Sequence, residues 1–94
     1  MPPPLRGRDW DDWNEQHIAR HGVSRDEVEE VCFGDVWVLR STGEGKRPAY
    51  GRTDAGRYLF IVLAERGEGF YYPVSAREMT LTERRRYQQN HQRS

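Results

Sequence analysis

The sequence predicts an α+β fold with two short N-terminal helices, a four-stranded antiparallel sheet and a C-terminal helix. Three observations carry this prediction. Helix-start patterns fall towards the two ends of the 94-residue chain, strand-like patterns fill residues 36–75 between them, and the predicted strand connections are short, which favours an antiparallel meander. The length suits one domain. We expect it to span residues 10–89, between a flexible proline-rich lead-in over residues 1–9 and a frayed end over residues 90–94.

Capping patterns set the starts of the two N-terminal helices. Asp12 and Glu15 form a plausible capping box for a first helix that runs to about His21, where a glycine follows as the stop signal. Ser24 is the predicted N-cap of the second helix, and Glu27 is its reciprocal acid at the third helical position. These starts are local patterns, so they define where the helices begin before any packing is considered.

The second helix should end near Gly34 and present one apolar face to the core. The residues on that face share an i, i+3, i+4 spacing and are Val28, Val31 and Cys32. Glu29 and Glu30 are expected to face solvent. Cys32 is the single cysteine of the chain, which excludes an intramolecular disulfide and a multi-cysteine zinc cluster. Its place on the apolar face favours a small buried residue over a nucleophile.

After the second helix the apolar pattern changes to that of strands. Four strands are predicted, at Val36–Arg40, Ala49–Thr53, Tyr58–Ala64 and Phe70–Ser75. The third of them is apolar on both faces, which indicates a central strand covered on each side. Pro73 cannot donate to a ladder and therefore predicts an edge position or a bulge. Thr80 and Glu83 form a third capping box, which opens a helix from Leu81 to about Gln89.

Charge is divided unevenly along a chain whose net formal charge is zero. Residues 1–35 hold four basic and nine acidic side chains, a balance of −5, and residues 36–94 have a balance of +5. Fourteen of the fifteen basic residues are arginines, which suit bidentate phosphate contacts, although a codon bias towards arginine explains this equally well. The asymmetry points to a polyanionic partner. No apolar run approaches the roughly 18 residues that a membrane helix needs, and no signal-peptide pattern is evident, so we expect a cytoplasmic protein without membrane contact.

The candidate catalytic residues gather around the start of the last helix. At about 100° per residue, Glu83, Arg84 and Tyr87 fall within one arc, and Arg77 lies just before the helix. Metal-free RNA cleavage needs a base for the ribose 2′-OH, cations for the phosphorane and an acid for the leaving 5′-oxygen. Arg77 and Arg84 are the candidate cations, and Tyr87 and Glu83 are the acid–base candidates. A free phenol has a pKa of about 10, so Tyr87 would need neighbouring cations to act as a base.

Structural interpretations stand beside these functional ones. Glu83 closes a capping box, Arg84 can lie on a solvated helix face, and Tyr87 can pack its ring on the sheet. His17 and His21 have the i, i+4 spacing of half a metal site, but no third ligand is evident in the sequence, so no metal is expected. His17 as an RNA contact or general acid is a further hypothesis. The three tryptophans are most simply core aromatics, with a partner-facing role for the first two as the alternative.

Several short blocks, in order, carry a family resemblance. In the first half they are Asn14, His17-Ile18, His21-Gly22-Val23-Ser24, Glu27, Glu30-Val31 and Phe33. In the second half they are Gly51-Arg52-Thr53, Gly56-Arg57, Leu59–Leu63, Ser75-Ala76-Arg77, Thr80, Glu83-Arg84 and Tyr87. In these blocks the chain resembles the BrnT-type toxins, RelE-like ribonucleases of type II toxin–antitoxin systems, over nearly its whole length from Trp10 to Tyr87.

The resemblance implies a RelE-like fold and an endoribonuclease toxin that cleaves mRNA and inhibits translation, without a cofactor. It also implies a BrnA-like antitoxin as partner, with a dimer or a heterotetramer containing the antitoxin as candidate assemblies. The positions that match the family's functional residues are Arg77, Glu83, Arg84 and Tyr87, with Lys46 or Arg47 before the second predicted strand.

One position departs from the family pattern. The family often has an arginine three residues before the serine of Ser75-Ala76-Arg77, and this chain has Tyr72 there. The expected RNA-binding residues are Lys46, Arg47, Tyr72 and His17. Because the arginine is missing, a second hypothesis stays open: a catalytically weak or inactive RelE-like fold that binds protein or RNA.

Overall fold

The computed structural model describes residues 7–40 and 44–92 and confirms the mixed α+β class. The helices are α1 (Asp12–Ala19), α2 (Arg25–Phe33) and α3 (Leu81–Gln92). The strands are β1 (Gly7–Arg8), β2 (Trp37–Val38), β3 (Lys46–Arg52), β4 (Tyr58–Gly67) and β5 (Phe70–Glu78). All five strands form one sheet in the order β1-β5-β4-β3-β2. None of the described helices combines the length and the apolar character that crossing a bilayer requires.

The sheet has one strand more than the sequence predicted. Strands β2 to β5 form the expected antiparallel meander, and β4 lies at its centre. Gly7 and Arg8, which fell within the predicted lead-in, form β1 and pair in parallel with Phe70 and Tyr71 of β5. The prediction of four antiparallel strands is therefore wrong by one parallel edge strand. The sequence did not indicate β1 because a strand of two residues is too short to show an alternating pattern. Its partner residues in β5 also lie about sixty residues later in the chain.

The predicted strands also have different ends in the structure. The first is confined to Trp37–Val38 instead of Val36–Arg40, and the second begins at Lys46, inside the loop that was predicted over residues 41–48. β4 and β5 each continue for three residues beyond their predicted ends. Residues 41–43 of the predicted loop and residues 1–6 of the predicted lead-in lie outside the described part of the chain.

The capping box of α1 lies one residue earlier than predicted. The Asp11 carboxylate accepts a hydrogen bond from the Asn14 N–H, and the Asn14 side chain accepts one from the Asp11 N–H, both at 2.9 Å. The Asn14 amide also donates to the Asp9 carbonyl at 3.0 Å and is fully buried. The predicted pair of Asp12 and Glu15 was wrong because burial of Asn14 selects this register of the box. The helix itself ends at Ala19.

The other two capping boxes are confirmed. Ser24 and Glu27 exchange hydrogen bonds of 3.2 and 3.0 Å, and Thr80 and Glu83 exchange bonds of 3.2 and 2.9 Å. α3 continues past the predicted end, so residues 90–92 are helical where fraying was expected. Residues 93–94 lie outside the described part.

Both N-terminal helices pack on one face of the sheet. The buried apolar core consists of Ile18, Val23, Val28, Val31, Cys32, Ala49, Leu59, Ile61, Leu63, Tyr71 and Ala76. Because side chains alternate along β4, Tyr58, Phe60 and Val62 lie on the opposite face, which we call the outer face. The predicted covering of β4 on both sides therefore holds only in part, since the core face is buried and these outer residues stay partly exposed. Burial also raises the pKa of the Cys32 thiol to about 12, as its predicted inert role requires.

Glycine is required where α2 crosses β3. A Cβ atom added at Gly51 would lie 2.5 Å from Cγ1 of Val31, which is far inside contact distance. The absence of a side chain therefore sets how closely α2 approaches the sheet.

An ion pair ties β1 to α2. Arg8 donates to both carboxylate oxygens of Glu29, at 2.5 and 3.1 Å, and its guanidinium lies 4.1 Å from the ring centroid of Phe33. Glu29 is therefore partly buried and not solvent-facing as predicted. Glu30 is also partly buried, and it accepts a hydrogen bond from the Asp54 N–H at 3.0 Å.

β5 carries the bulge that Pro73 predicted. Ser75 pairs with Val62 and Pro73 pairs with Leu63, so Val74 is an extra residue on this strand. The bulge shifts the alternation of every later side chain in β5 by one position. Residues at odd positions face the core before the bulge and the outer face after it.

Candidate functional site

The outer face of the sheet carries a row of aromatic rings. Strand register places Trp37, Tyr50 and Phe60 side by side on β2, β3 and β4. The ring centroids are 5.4 Å apart for Trp37 and Tyr50 and 5.0 Å apart for Tyr50 and Phe60. All three side chains are only partly buried. Such a row can stack unpaired nucleobases, because every base presents an apolar ring face.

Arg77 ends this row on β5, beside Phe60 in the register. Its guanidinium carbon lies 4.3 Å from the Phe60 ring centroid, and 44% of its side chain is exposed. The bulge decides this position. In a regular strand, a residue six positions after the buried Tyr71 would also face the core, and the extra residue Val74 reverses that alternation.

Glu83 holds Arg77 in place. Arg77 donates to both of its carboxylate oxygens, at 2.8 and 3.0 Å, while the Thr80 N–H donates to one of them at 2.9 Å. The hydrogen bonds from Arg77 lower the pKa of Glu83 against the opposing effect of burial. The carboxylate is therefore ionised at neutral pH and has no proton to donate. Because both of its carboxylate oxygens already accept from Arg77, this geometry favours a positioning role for Glu83 over the acid–base role expected from the sequence.

A second guanidinium–ring pair lies next to the first. The Arg84 guanidinium carbon is 4.1 Å from the ring centroid of Tyr58, which is two residues before Phe60 on the same face of β4. The two rings are about 7 Å apart along the strand. Arg77 and Arg84 thus present two cations over adjacent rings. We call the cluster of Arg52, Tyr58, Phe60, Arg77, Glu83 and Arg84 the arginine–aromatic site.

Tyr58 and Arg52 belong to this site, although no sequence pattern marked them as catalytic candidates. The Arg52 guanidinium carbon lies 5.9 Å from the Tyr58 ring centroid, and the Gln88 amide donates to the Tyr58 hydroxyl at 3.2 Å. The pKa of Tyr58 is lowered, first by Arg52 and then by Gln88, with a smaller contribution from Arg84. The sequence signal for Tyr58 is that it and Phe60 are aromatic residues at alternate positions of β4, a pattern that also suits a core strand.

Tyr87 lies apart from the solvent-exposed side of this site. It is 5% exposed, and its hydroxyl donates to the Asp35 carbonyl at 2.6 Å. Burial, and then the neighbouring Asp35, raise the pKa of Tyr87. A buried phenol that donates to a backbone carbonyl is unsuited to accept a proton from a ribose. The geometry therefore does not support the acid–base role expected for Tyr87, and the packing interpretation describes it better.

The two basic residues at the start of β3 point in opposite directions. Lys46 is exposed and alternates onto the outer face with Tyr50. Arg47 faces the other way: it pairs with Glu65, donates to the Leu39 carbonyl at 3.2 Å, and has 14% of its side chain exposed. Only Lys46 of this pair can contact a ligand on the outer face.

Tyr72 and His17 lie away from the arginine–aromatic site. The Tyr72 hydroxyl lies 3.0 Å from both carboxylate oxygens of Asp11, to which it donates, and Arg66 stacks 4.7 Å from its ring centroid. His17 is on α1, which packs on the core face of the sheet. The structure therefore does not bring His17 together with Arg77.

His17 instead belongs to an aromatic stack along α1. Its ring is parallel to that of Trp13 at 4.9 Å and meets His21 edge to face at 5.5 Å. Trp13 is 58% exposed, contrary to its expected place in the core, whereas Trp10 packs against the core. Within residues 7–40 and 44–90, no three His, Cys, Asp or Glu side chains gather as metal ligands would.

A cleft of about 390 Å³ opens beside the site, behind Arg52. Its lining consists of Glu30, Gly34, Asp35, Arg52, Thr53, Asp54 and Tyr87. Three of these residues are acidic, so the cleft is unfavourable for a phosphate group. A polyanion is better matched to the outer face, where the guanidiniums of Arg77 and Arg84 lie.

Comparisons with known proteins agree with the resemblance seen in the sequence. A family model described as the ribonuclease toxin BrnT of type II toxin–antitoxin systems matches residues 10–83. The crystal structure of the Brucella abortus ribonuclease toxin BrnT is similar to this fold, with a TM-score of 0.62 at 19% sequence identity. That match covers 79% of this chain and 96% of the Brucella chain. A comparison with curated proteins finds no match.

Proposed function

Because this chain belongs to the BrnT family of ribonuclease toxins of type II toxin–antitoxin systems, we propose that its arginine–aromatic site cleaves mRNA. Family membership implies an RNA substrate and an antitoxin protein partner. The observation that supports this site is the pair of guanidiniums at 4.3 and 4.1 Å from adjacent rings of β4. Cations beside partly exposed rings suit a strand with unpaired bases and a charged backbone.

The two arginines have separate tasks in this proposal. Arg77 is fixed by Glu83 and stabilises the extra negative charge of the phosphorane, since a preorganised cation needs no rearrangement in the transition state. Arg84 approaches from α3 and binds either the phosphate that Arg77 binds or the next phosphate along the RNA. Trp37 and Tyr50 extend the stacking surface, and Lys46 lies further along the same face. The basic second half of the chain thus supplies the RNA-binding surface.

The cleavage step we propose needs no metal ion. The ribose 2′-oxygen attacks the neighbouring phosphorus, a P–O2′ bond forms and the P–O5′ bond breaks. The products are a 2′,3′-cyclic phosphate and a free 5′-hydroxyl. The protein contributes the cations and a proton acceptor, and the 5′-oxygen receives its proton from water.

We further propose a RelE-like arrangement of the sheet and a BrnA-like antitoxin that assembles with the toxin as a heterotetramer. Its action on mRNA would take place in the cytoplasm. An antitoxin that silences the toxin would cover the outer face, where the proposed RNA surface lies.

A second candidate function is a non-catalytic binding module of the same fold. The hydrogen bonds between Tyr72 and Asp11 favour it, because the position where the family often has a cation is occupied by a phenol that already has a partner. This module would bind RNA or an antitoxin without cleaving.

Induced expression and RNA-end mapping separate the two functions. We expect induction to arrest growth and to produce new 5′-hydroxyl ends in mRNA. The double substitution of Arg77→Ala with Arg84→Ala should abolish both effects. Arg20→Ala removes an exposed arginine that directly follows α1 and should leave both unchanged. Arrest and cleavage that persist in the double variant would reject the site, and their absence in the unchanged protein would favour the binding module.

A further inference from the structure

The hydroxyl of Tyr58 lies among cations on the outer face, and neither the family match nor the similar structure gives it a role. It is the phenol of the arginine–aromatic site, and the side chains around it come from β3 and α3. Arg52 approaches from β3, Arg84 and Gln88 approach from α3, and the edge of the Tyr87 ring closes the remaining side at 6.0 Å between centroids. Just after the end of β5, the Met79 N–H donates a hydrogen bond to the Tyr58 backbone carbonyl.

We propose that the Tyr58 hydroxyl, as a phenolate, is the general base that removes the proton from the ribose 2′-OH. This inference rests on the proposed RNA cleavage. The proton passes to the Tyr58 oxygen as the P–O2′ bond forms, and the phenol later returns it to solvent. Water protonates the 5′-oxygen when the P–O5′ bond breaks, so the protein ends each cycle unchanged.

The neighbouring side chains favour the charged form of this phenol. A free phenol has a pKa of about 10, and nearby cations stabilise the phenolate. Arg52 and Arg84 supply such cations, and Gln88 donates a hydrogen bond to the oxygen. On the far side of the Tyr87 ring, Asp35 accepts the Tyr87 hydroxyl through its backbone carbonyl. The net effect lowers the pKa of Tyr58.

Position also selects Tyr58 over the other tyrosines near the site. It shares the outer face with Phe60, over which Arg77 is held, so a phosphate on Arg77 would lie within reach of the Tyr58 oxygen. Tyr50 is more enclosed, and its pKa is raised by burial and then by Glu83. Tyr87 is buried and donates its proton to a carbonyl. Tyr58 is therefore the phenol that combines exposure, cations and proximity.

Tyr58→Phe and Tyr87→Phe form a matched pair that tests this role. Both variants lose one hydroxyl from rings in mutual contact, and only the first loses the proposed base. Cleavage by the purified full chain should be followed from pH 6 to 10 in single-turnover reactions, with free RNA and with mRNA on translating ribosomes. Thermal melting of each variant shows whether it is folded.

For the unchanged chain we expect the cleavage rate to rise about tenfold per pH unit up to an inflection below pH 10. Tyr58→Phe should lower the rate by about a hundredfold or more and remove the inflection. Tyr87→Phe should keep both. Tyr58→His should cleave slowly with an inflection moved towards about pH 6.5.

The outcomes distinguish this inference from the function on which it rests. A Tyr58→Phe variant that keeps the rate, or that loses rate but keeps the inflection, would show that Tyr58 only stacks or packs and would overturn its role as a base. Cleavage by the unchanged chain would still stand in that case. If the unchanged chain cleaves neither free nor ribosome-bound RNA, the proposed function fails and this inference fails with it.

Discussion

Arg77 and Glu83 are joined by two hydrogen bonds, of 2.8 and 3.0 Å, that connect the end of β5 to the first turn of α3. The same carboxylate accepts from the Thr80 N–H, so one side chain caps the helix and holds the guanidinium. The planar fork of arginine matches both carboxylate oxygens. The arrangement fixes Arg77 beside Phe60 before any ligand binds.

Replacing Arg77 should test the importance of this fork. Arg77→Ala should lower RNA cleavage by about a hundredfold or more, because a preorganised cation at the transition state is lost. Arg77→Lys should recover only part of the rate, since an ammonium group cannot bind Glu83 through two parallel bonds. Single-turnover rates on one RNA substrate provide the measurement. Equal rates for the lysine variant and the unchanged protein would show that only the charge matters.

Acid stability should depend on Glu83. Its pKa is lowered in the folded state by the hydrogen bonds from Arg77, so the carboxylate stabilises the fold above its unfolded pKa of about 4.3. That contribution is lost as the pH falls from about 5 through the lower folded pKa. Glu83→Gln should therefore flatten the decline in the free energy of unfolding over this range. Urea unfolding at several pH values measures it, with Glu44→Gln at an exposed position as control. An equal decline in both variants would contradict the prediction.

The close approach of α2 to β3 predicts a large effect at a small residue. Gly51→Ala should destabilise the fold by about 1–3 kcal/mol, because the new methyl group would overlap Cγ1 of Val31. Val31→Ala in the same chain should relieve part of that overlap, so the two effects should not add. Urea unfolding of both single variants and the double variant gives the coupling. Simple additivity would mean that the helix moves away freely.

Lys46 and Arg47 offer a paired test of the RNA surface. Lys46→Ala should weaken binding of a 2′-O-methyl RNA strand, which lacks the attacking hydroxyl, and should reduce the slope of log affinity against log salt by about 0.7. Arg47→Ala should leave that slope unchanged, because Arg47 faces Glu65 and Leu39 on the other side of the sheet. Titrations at several salt concentrations measure both slopes. A larger change for Arg47 would mean that RNA follows a different face.

Local signals along the chain predicted much of the helical structure. The boxes at Ser24 and Thr80 depend on side chains three residues apart, so they form wherever the neighbouring backbone turns into a helix. The box at Asp11 was missed by one residue because burial of Asn14, which local pattern does not reveal, selects the register. The short strand β1 was missed because it depends on its distant partner in β5.

The candidate site shows the same contrast between residues that are close in sequence and residues that only the fold brings together. Sequence spacing predicted that Arg77, Glu83 and Arg84 lie together, and the structure keeps them close. Tyr58 joins them through the register of β4, which no local pattern reveals. Helical spacing also placed Tyr87 near Arg84, but it does not reveal that the Tyr87 hydroxyl is buried against Asp35.

The amino-acid sequence by itself determined the starts of α2 and α3, the antiparallel meander, the resemblance to BrnT toxins and the clustering of charge at the end of β5, since each depends on near neighbours or on composition. Only the tertiary structure decided which phenol is exposed beside cations and which face Arg77 occupies. The physical reason is that side-chain burial and cross-strand neighbours are set by register. One extra residue in β5 turns Arg77 from the core to the outer face.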